Sequence, residues 1–219
     1  MFIYSNLATS LDGKIALASR KHVPIGTPFD REQMQGLRSE SDAILMGASS
    51  LRAFRRPLLN RHASPAQGPQ PLNIILSYSL EGVSASWPFF KSNAIKRLLI
   101  LKTPPRGARL KSFEKTSQIL VLKNSPPAPQ IVAHLKQLGI HQLLVEGGGG
   151  VMWEFCRHNL IDEIHVTLTP KIIGGSASPT LVDGVGFNRD QILNLKLVQC
   201  RPVGDELYLI YRKTKRHGT

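Results

Sequence analysis

The sequence predicts an α/β protein with a mixed, mostly parallel central sheet flanked by helices and antiparallel strands at its C-terminal edge. Three observations predict it. Short apolar runs of strand length alternate with helical patterns as far as about residue 169. Two of those runs, residues 43–46 and 143–145, pass directly into a glycine turn and then a helix. After residue 169, two strands close the chain with no helix between them, as an antiparallel edge would.

Residues 2–8 alternate weakly and form the first strand. Asp12-Gly13 marks a turn. Asp12 either turns the chain through its own side chain, as Asp often does, or faces the mouth of the sheet as a functional acid; the residue alone leaves both open. Residues 17–29 carry Pro24, Gly26 and Pro28 and read as a surface loop or lid. Asp30 is placed to cap a helix running to about residue 40. Arg38 lies in that helix, and on bare sequence it reads as a solvated charge.

Residues 43–46 form a buried strand that ends in Gly47-Ala48-Ser49-Ser50. Either serine can cap the following helix or donate to a phosphate at its start. Residues 57–71, rich in Pro, Gln, Arg and Ser, form a long loop. Strands follow at 72–76, 98–101 and 119–122. Pro126, Pro127 and Pro129 break the chain before a helix from about 130 to 138, which Gly139 ends.

The chain is organised around what comes next. Leu143, Leu144 and Val145 lead to one carboxylate, Glu146, then to four glycines, Gly147 to Gly150, then to a helix from Val151. Glycines let a ligand approach the backbone, and the helix start behind them offers free N–H groups and partial positive charge. That suits a phosphate or pyrophosphate. The spacing is not G-x-G-x-x-G, because Met152 holds the last glycine position. A strand at 163–169, a loop at 174–187, and strands at about 192–200 and 206–211 complete the chain.

With 219 residues, 42% hydrophobic and 20% charged, the sequence fits one globular domain spanning 1–219. It has no apolar run of about 18 residues or more, so no membrane span is expected. The N-terminus lacks a basic region and a signal-like cleavage site, and Cys156 and Cys200 are expected to be buried free thiols, so a cytoplasmic protein is expected. The net charge is +13. Between Lys91 and Lys123 there are nine Lys/Arg against one acid, Glu114. Further clusters lie at Arg52, Arg55, Arg56 and Arg61, and at Arg212, Lys213, Lys215 and Arg216. Aromatic content is only 6% and no nucleic-acid motif is present, which disfavours nucleic acid and favours steering of a phosphorylated small molecule. The seven His are scattered, with no H-x-x-x-H or C-x-x-C pattern for a metal. There is no G-x-S-x-G elbow, Walker loop or deaminase zinc motif, which disfavours hydrolase, kinase and deaminase chemistry.

Several stretches resemble the riboflavin-biosynthesis pyrimidine reductase family, which has a dihydrofolate-reductase-like fold. They are Asn6-Leu-Ala-Thr-Ser-Leu-Asp-Gly-Lys-Ile-Ala16, Leu37-Arg38 with Asp42-Ala-Ile-Leu-Met-Gly47, and Leu143-Leu-Val-Glu-Gly-Gly-Gly149. Further along come Leu160-Ile-Asp-Glu-Ile164, Pro170-Lys-Ile-Ile-Gly-Gly175 and Pro179-Thr-Leu-Val-Asp-Gly184. The resemblance is to the stand-alone reductases and to the C-terminal half of bifunctional deaminase–reductases.

The resemblance implies NADPH-dependent reduction of a ribosylaminopyrimidine 5′-phosphate, in which hydride reaches C1′ of the ring-opened imine. It implies that Gly147, Gly148 and Gly149, with Val151 and Met152, hold the cofactor pyrophosphate. Gly47 and Ser50 would bind a second part of the cofactor. Asn6, Arg38 and Glu146 would bind substrate, with Arg38 at its phosphate, and Asp12 and Glu146 are the candidate catalytic acids. A homodimer is implied as well. Two departures stand out: Phe54-Arg55-Arg56-Pro57 replaces an acidic segment usual in the family, and, a smaller change, Ser77 stands where the third strand usually ends in Asp. Arg55 or Arg56 could then meet the NADPH 2′-phosphate. The alternative is a paralogous NADPH-dependent reductase of another small substrate, such as a pterin.

Overall fold

The computed structural model describes residues 1–21, 23–62, 70–122 and 127–214. Pro126, Lys123, Lys215, Arg216 and the middle of the 57–71 loop lie outside the described residues.

The strands form a single sheet in the order β5-β4-β3-β2-β6-β1-β7-β9-β8. They are β1 (Phe2–Ser10), β2 (Ala43–Gly47), β3 (Leu72–Ser77), β4 (Arg97–Leu101), β5 (Gln118–Val121), β6 (Gln142–Val145), β7 (Glu163–Thr169), β8 (Leu195–Val203) and β9 (Glu206–Lys213). From β5 to β7 every pairing is parallel. β9 then runs antiparallel to β7 and to β8. The expected mostly parallel sheet with an antiparallel C-terminal edge is what forms.

Alternation along the central strands builds two core layers. Ala43 and Leu45, Leu98 and Ile100, and Leu143 and Val145 face one side. They pack on α5 (Pro127–Gln137) and α6 (Gly149–Arg157), through Ile131, Leu135, Met152 and Phe155. Ile44 and Met46, Leu99 and Leu101, and Leu144 face the other side. There they meet α2 (Ala48–Phe54), α3 (Pro88–Lys91) and α4 (Gly107–Glu114), through Leu51, Phe89, Phe90 and Phe113. Each such side chain taken fully from water contributes about 1.5–3 kcal/mol. α1 (Pro28–Glu40) covers the second face near β1, where Leu37 is half-buried.

Several boundaries differ from expectation. Asp30 does not cap α1: Thr27 holds that position and Pro28 begins the helix, where its missing N–H costs nothing. Helices α3 and α4 were not expected. α4 buries only Phe113, so it has almost no apolar stripe to read. Strand β8 starts three residues late, because residues 189–191 form a 3₁₀ turn capped by Asn188. It then continues through Pro202, which an edge strand tolerates. A two-residue turn, Gly204-Asp205, joins it to β9.

Candidate functional site

Strands β2 and β6 are neighbours in the sheet. Both run into helices at their C-terminal ends, but α2 packs in one core layer and α6 in the other. The chain therefore leaves adjacent strands in opposite directions, and a crevice opens between them. Open α/β sheets bind ligands at such a switch point.

Backbone contacts fix the two turns together. Gly47 N donates to Gly147 O at 2.9 Å, and Glu146 N to Leu45 O at 2.9 Å. Gly147 has φ +82°, and a Cβ there would stand 2.8 Å from Leu7 Cδ2. A Cβ on Gly149 would stand 2.4 Å from Thr180 O and from Asp183 Oδ2. Both positions therefore require glycine. Gly150 is different: a Cβ there meets nothing within 4 Å, and the residue lines the crevice.

The crevice has a volume of ≈ 1130 Å³. Single-ligand sites usually enclose about 300–1,000 Å³, so there is room for a cofactor and a substrate together. Its described lining holds eight Lys/Arg (Arg20, Lys21, Arg31, Arg38, Arg52, Arg56, Arg61 and Lys102) against five carboxylates (Asp30, Glu81, Glu146, Glu154 and Asp183). That balance suits an anionic ligand.

Of the residues singled out from sequence, Asn6, Arg38, Gly47, Ser50, Glu146, Gly148, Gly149 and Val151 line this crevice. Arg38 is no solvated charge. Its Nε donates to Glu146 Oε1 at 2.6 Å, its Nη2 to Glu146 Oε2 at 2.7 Å and its Nη1 to Leu59 O at 3.2 Å. Such a two-pronged pair is the strong geometry for a guanidinium and a carboxylate. It makes one rigid wall from residues 108 positions apart.

The rest of the glycine turn and helix start is placed as follows. Gly147 sits behind the lining and acts through its carbonyl on Gly47. Met152 is 1% exposed and belongs to the core. The N–H groups of Val151 and Met152 both donate to Gly148 O, at 2.9 and 3.0 Å. Those of Gly149 and Gly150 are the ones left at the helix start.

Asp12 lies exposed and outside the crevice. Its carboxylate accepts from Ser10 Oγ at 2.6 Å, Ile173 N at 3.0 Å and Gly174 N at 2.7 Å. The Ser10 hydroxyl first, then the Ile173 N–H, holds its pKa down to about 2. Asp12 thus clips the turn after β1 to the loop at 173–174.

The structure also separates the two arginines of the unusual segment. Arg55, at φ +55°, ends α2 and stacks 5.0 Å over the Trp87 ring. Arg56 lines the crevice. Sequence reading missed Asp30, Arg31, Arg61 and Asp183, which also line it.

Among the described residues, no helix is long and apolar enough to cross a membrane, and no group of three or more His, Cys, Asp or Glu could hold a metal ion.

The architecture is that of the dihydrofolate-reductase-like α/β proteins. It superimposes on dihydrofolate reductase from Enterococcus faecalis with a TM-score of 0.55 at 12% identity, covering 98% of this chain and 97% of that one. On a pyrimidine reductase-like protein from Corynebacterium diphtheriae the TM-score is 0.82 at 22% identity, covering 98% and 92%. Within that class the assignment is narrower: the family model of the RibD C-terminal domain matches residues 1–209, and the chain belongs to that family. It is 28% identical to the 2,5-diamino-6-ribosylamino-4(3H)-pyrimidinone 5′-phosphate reductase of Archaeoglobus fulgidus, over 85% of this chain and 88% of the relative. It is 31% identical to the riboflavin biosynthesis protein RibD of Synechocystis, over 91% of this chain and 53% of that longer protein.

Proposed function

We propose that this protein is an oxidoreductase of riboflavin biosynthesis. In this reading it uses NADPH to reduce a ribosylaminopyrimidine 5′-phosphate to its ribitylamino form. One observation carries the reading: a single basic crevice joins the glycine turn before α6 to the Arg38–Glu146 wall. The names of the Archaeoglobus and Synechocystis relatives support the pathway and the substrate class.

The residues present fit a nicotinamide dinucleotide. Gly149 and Gly150 offer N–H groups at the start of a nine-residue helix, where a pyrophosphate is favoured. The Enterococcus dihydrofolate reductase of this fold was solved with NADP(H). Arg56 supplies a cation for a 2′-phosphate, and Ser50 a hydroxyl at the second helix start.

When bound, the nicotinamide supplies the hydride that reaches C1′. The chain's share is to hold and orient. Arg38 and Glu146 fix the wall beside the substrate, and Asn6 in the middle of β1 offers an amide to the pyrimidine. With Nε, Nη1 and Nη2 of Arg38 each donating inward, the exposed Arg31 and Arg61 are the freer cations for the substrate phosphate. Arg20, Lys21 and residues 23–26 of the loop before α1 also line the crevice. A cytoplasmic homodimer completes the reading; exposed Leu195, Leu197 and Val198 on the edge strand β8 support a second copy there.

The test is loss of NADPH absorbance with the freshly made phosphoribosylamino-pyrimidine, its deaminated and undeaminated forms assayed apart. Turnover of either is expected and places the step before or after deamination. Tight NADPH binding with neither form reduced would refute the substrate and direct attention to Phe54 and Arg56.

A further inference from the structure

Reduction of an imine consumes a proton as well as a hydride, and among the described residues five carboxyl side chains line the crevice. Glu146 spends both oxygens on Arg38. Glu154 pairs with Arg157 at 2.8 Å and lies 3.5 Å from His158. Asp183 Oδ1 accepts from both the N–H and the hydroxyl of Thr180, at 2.9 and 2.8 Å. Glu81 is exposed to solvent on the loop after β3.

Asp30 is placed differently. It sits half-buried in the first turn of α1, and its Oδ1 accepts from the Thr167 hydroxyl of β7 at 2.6 Å. Its Oδ2 lies against the Gly26 backbone, so close that a Cβ there would come within 2.2 Å. Behind it stands Glu206 of β9, 2% exposed. That carboxylate accepts from Thr27 N at 3.1 Å, from Thr27 Oγ1 at 2.7 Å and from the Tyr208 hydroxyl. Tyr208 is itself pushed up to about 12, by burial first and Glu206 second, so its phenol stays a donor. Burial raises the Asp30 carboxyl above its ordinary value, and Glu206 adds to the rise. The Thr167 hydrogen bond, Arg31 and Lys171 oppose it.

We propose that Asp30 is the proton donor of the reduction, with Glu206 and Thr167 as its positioning residues; the proposal rests on the reductase reading above. As hydride adds to C1′, the electron pair of the C1′=N π bond takes the Asp30 proton and becomes an N–H bond. Asp30 is left as a carboxylate and takes a proton from water before the next turnover. One hydride and one proton are consumed, and the hydroxyl formed on ring opening stays on the product.

The full-length chain is assayed over a range of pH with NADPH and the pyrimidine that it reduces. An acid that must carry its proton gives a rate that falls as pH rises through its pKa. Asp30→Asn is expected to lower kcat/KM by roughly 10²-fold or more, the span of general acid catalysis, and to erase that falling limb. NADPH affinity, followed by fluorescence titration, should stay as in the wild type. Glu206→Gln removes a neighbouring negative charge and should move the limb to lower pH. Thr167→Val removes a hydrogen bond to the charged form and should move it to higher pH. A purely structural cluster would not shift the limb in opposite directions. The same two shifts should appear in the Asp30 carboxyl resonance of ¹³C-labelled protein without any ligand, and this readout stands if Asp30→Asn does not fold. An Asp30→Asn enzyme with wild-type kcat/KM and pH profile overturns the donor role, as does an Asp30 carboxyl titrating in the ordinary range. If the wild type reduces neither pyrimidine, the reductase reading falls and the donor role falls with it, whereas a slow variant of an active wild type touches only Asp30.

Discussion

Arg38 and Glu146 have side chains 9% and 10% exposed, so water screens their attraction weakly. Arg38→Met keeps much of the volume but strips Glu146 of both prongs and removes the Nη1 donor to Leu59 O. Breaking a buried pair from one side costs about 3–5 kcal/mol, because the remaining charge keeps its desolvation penalty. Domains have only about 5–15 kcal/mol in total. At about 2–4 °C per kcal/mol for a chain of this size, the melting temperature should fall by roughly 6–20 °C. Glu146→Met acts in the same direction, but the longer Arg38 can swing its head into the crevice, so its loss should be smaller. The double substitution removes both charges together, and apolar replacement of a buried pair is often close to neutral. It should therefore be more stable than Arg38→Met alone. Urea unfolding of the wild type, both single variants and the double variant, without ligand, closes the cycle. If Arg38→Met lost less than about 1 kcal/mol, the pair would be behaving as an exposed one and the reasoning would be refuted. Losses that simply added in the double variant would refute it as well.

Gly150→Leu should fold normally, since nothing lies within 4 Å of its Cβ position, yet weaken NADPH binding by covering the helix start; unchanged affinity in a fluorescence titration would remove the pyrophosphate from that turn. Gly149→Ala drives a methyl group to 2.4 Å from Thr180 O and should destabilise the fold whatever is bound, which a thermal melt reads. Arg56→Gln should cut affinity for NADPH more than for NADH, whereas Arg55→Gln should leave the ratio alone, because Arg55 stacks on Trp87; equal effects would contradict that division. Asp12 has a folded pKa of about 2 against an ordinary 3.8, so its contribution to stability is present above 3.8 and is lost as pH falls through about 2. Asp12→Asn should flatten acid unfolding in that window, expose the Ile173 and Gly174 amides to hydrogen exchange, and slow turnover far less than Asp30→Asn.

The central strands could be read because they are buried on both faces. Every residue of β2 is buried, and so is every residue of β4, which leaves continuous apolar runs that survive without context. Among α4, α5 and α6, legibility followed the face each buries. α5 and α6 bury four or more residues each and were found; α4 buries Phe113 alone and was not. The start of α1 misled for a different reason. An Asp before a helical pattern signals a local cap, but the Asp30 side chain is used 137 residues away, on Thr167. Nothing in the neighbourhood of residue 30 encodes that use.

The same distinction divides the site. The glycine turn and the strand ends are local features, and the sequence located them together with Glu146. What each group does is set by partners that only the sheet order brings near. β6 lies between β1 and β2, which carries Glu146 across to Arg38 on the helix that precedes β2. β7 lies beside β1 and pairs with β9, which puts Thr167 and Glu206 around Asp30. Two carboxyls that look alike in sequence thus acquire opposite settings: Asp12 receives two backbone N–H groups and a hydroxyl in water, and Asp30 receives burial and a second carboxylate. Hydrogen bonds to the charged form pull the first down, and desolvation with like charge pushes the second up. The surroundings of Asp30 favour its proton and those of Asp12 oppose it, which is the direction a proton donor needs, although the turn motif marks Asp12 in the sequence.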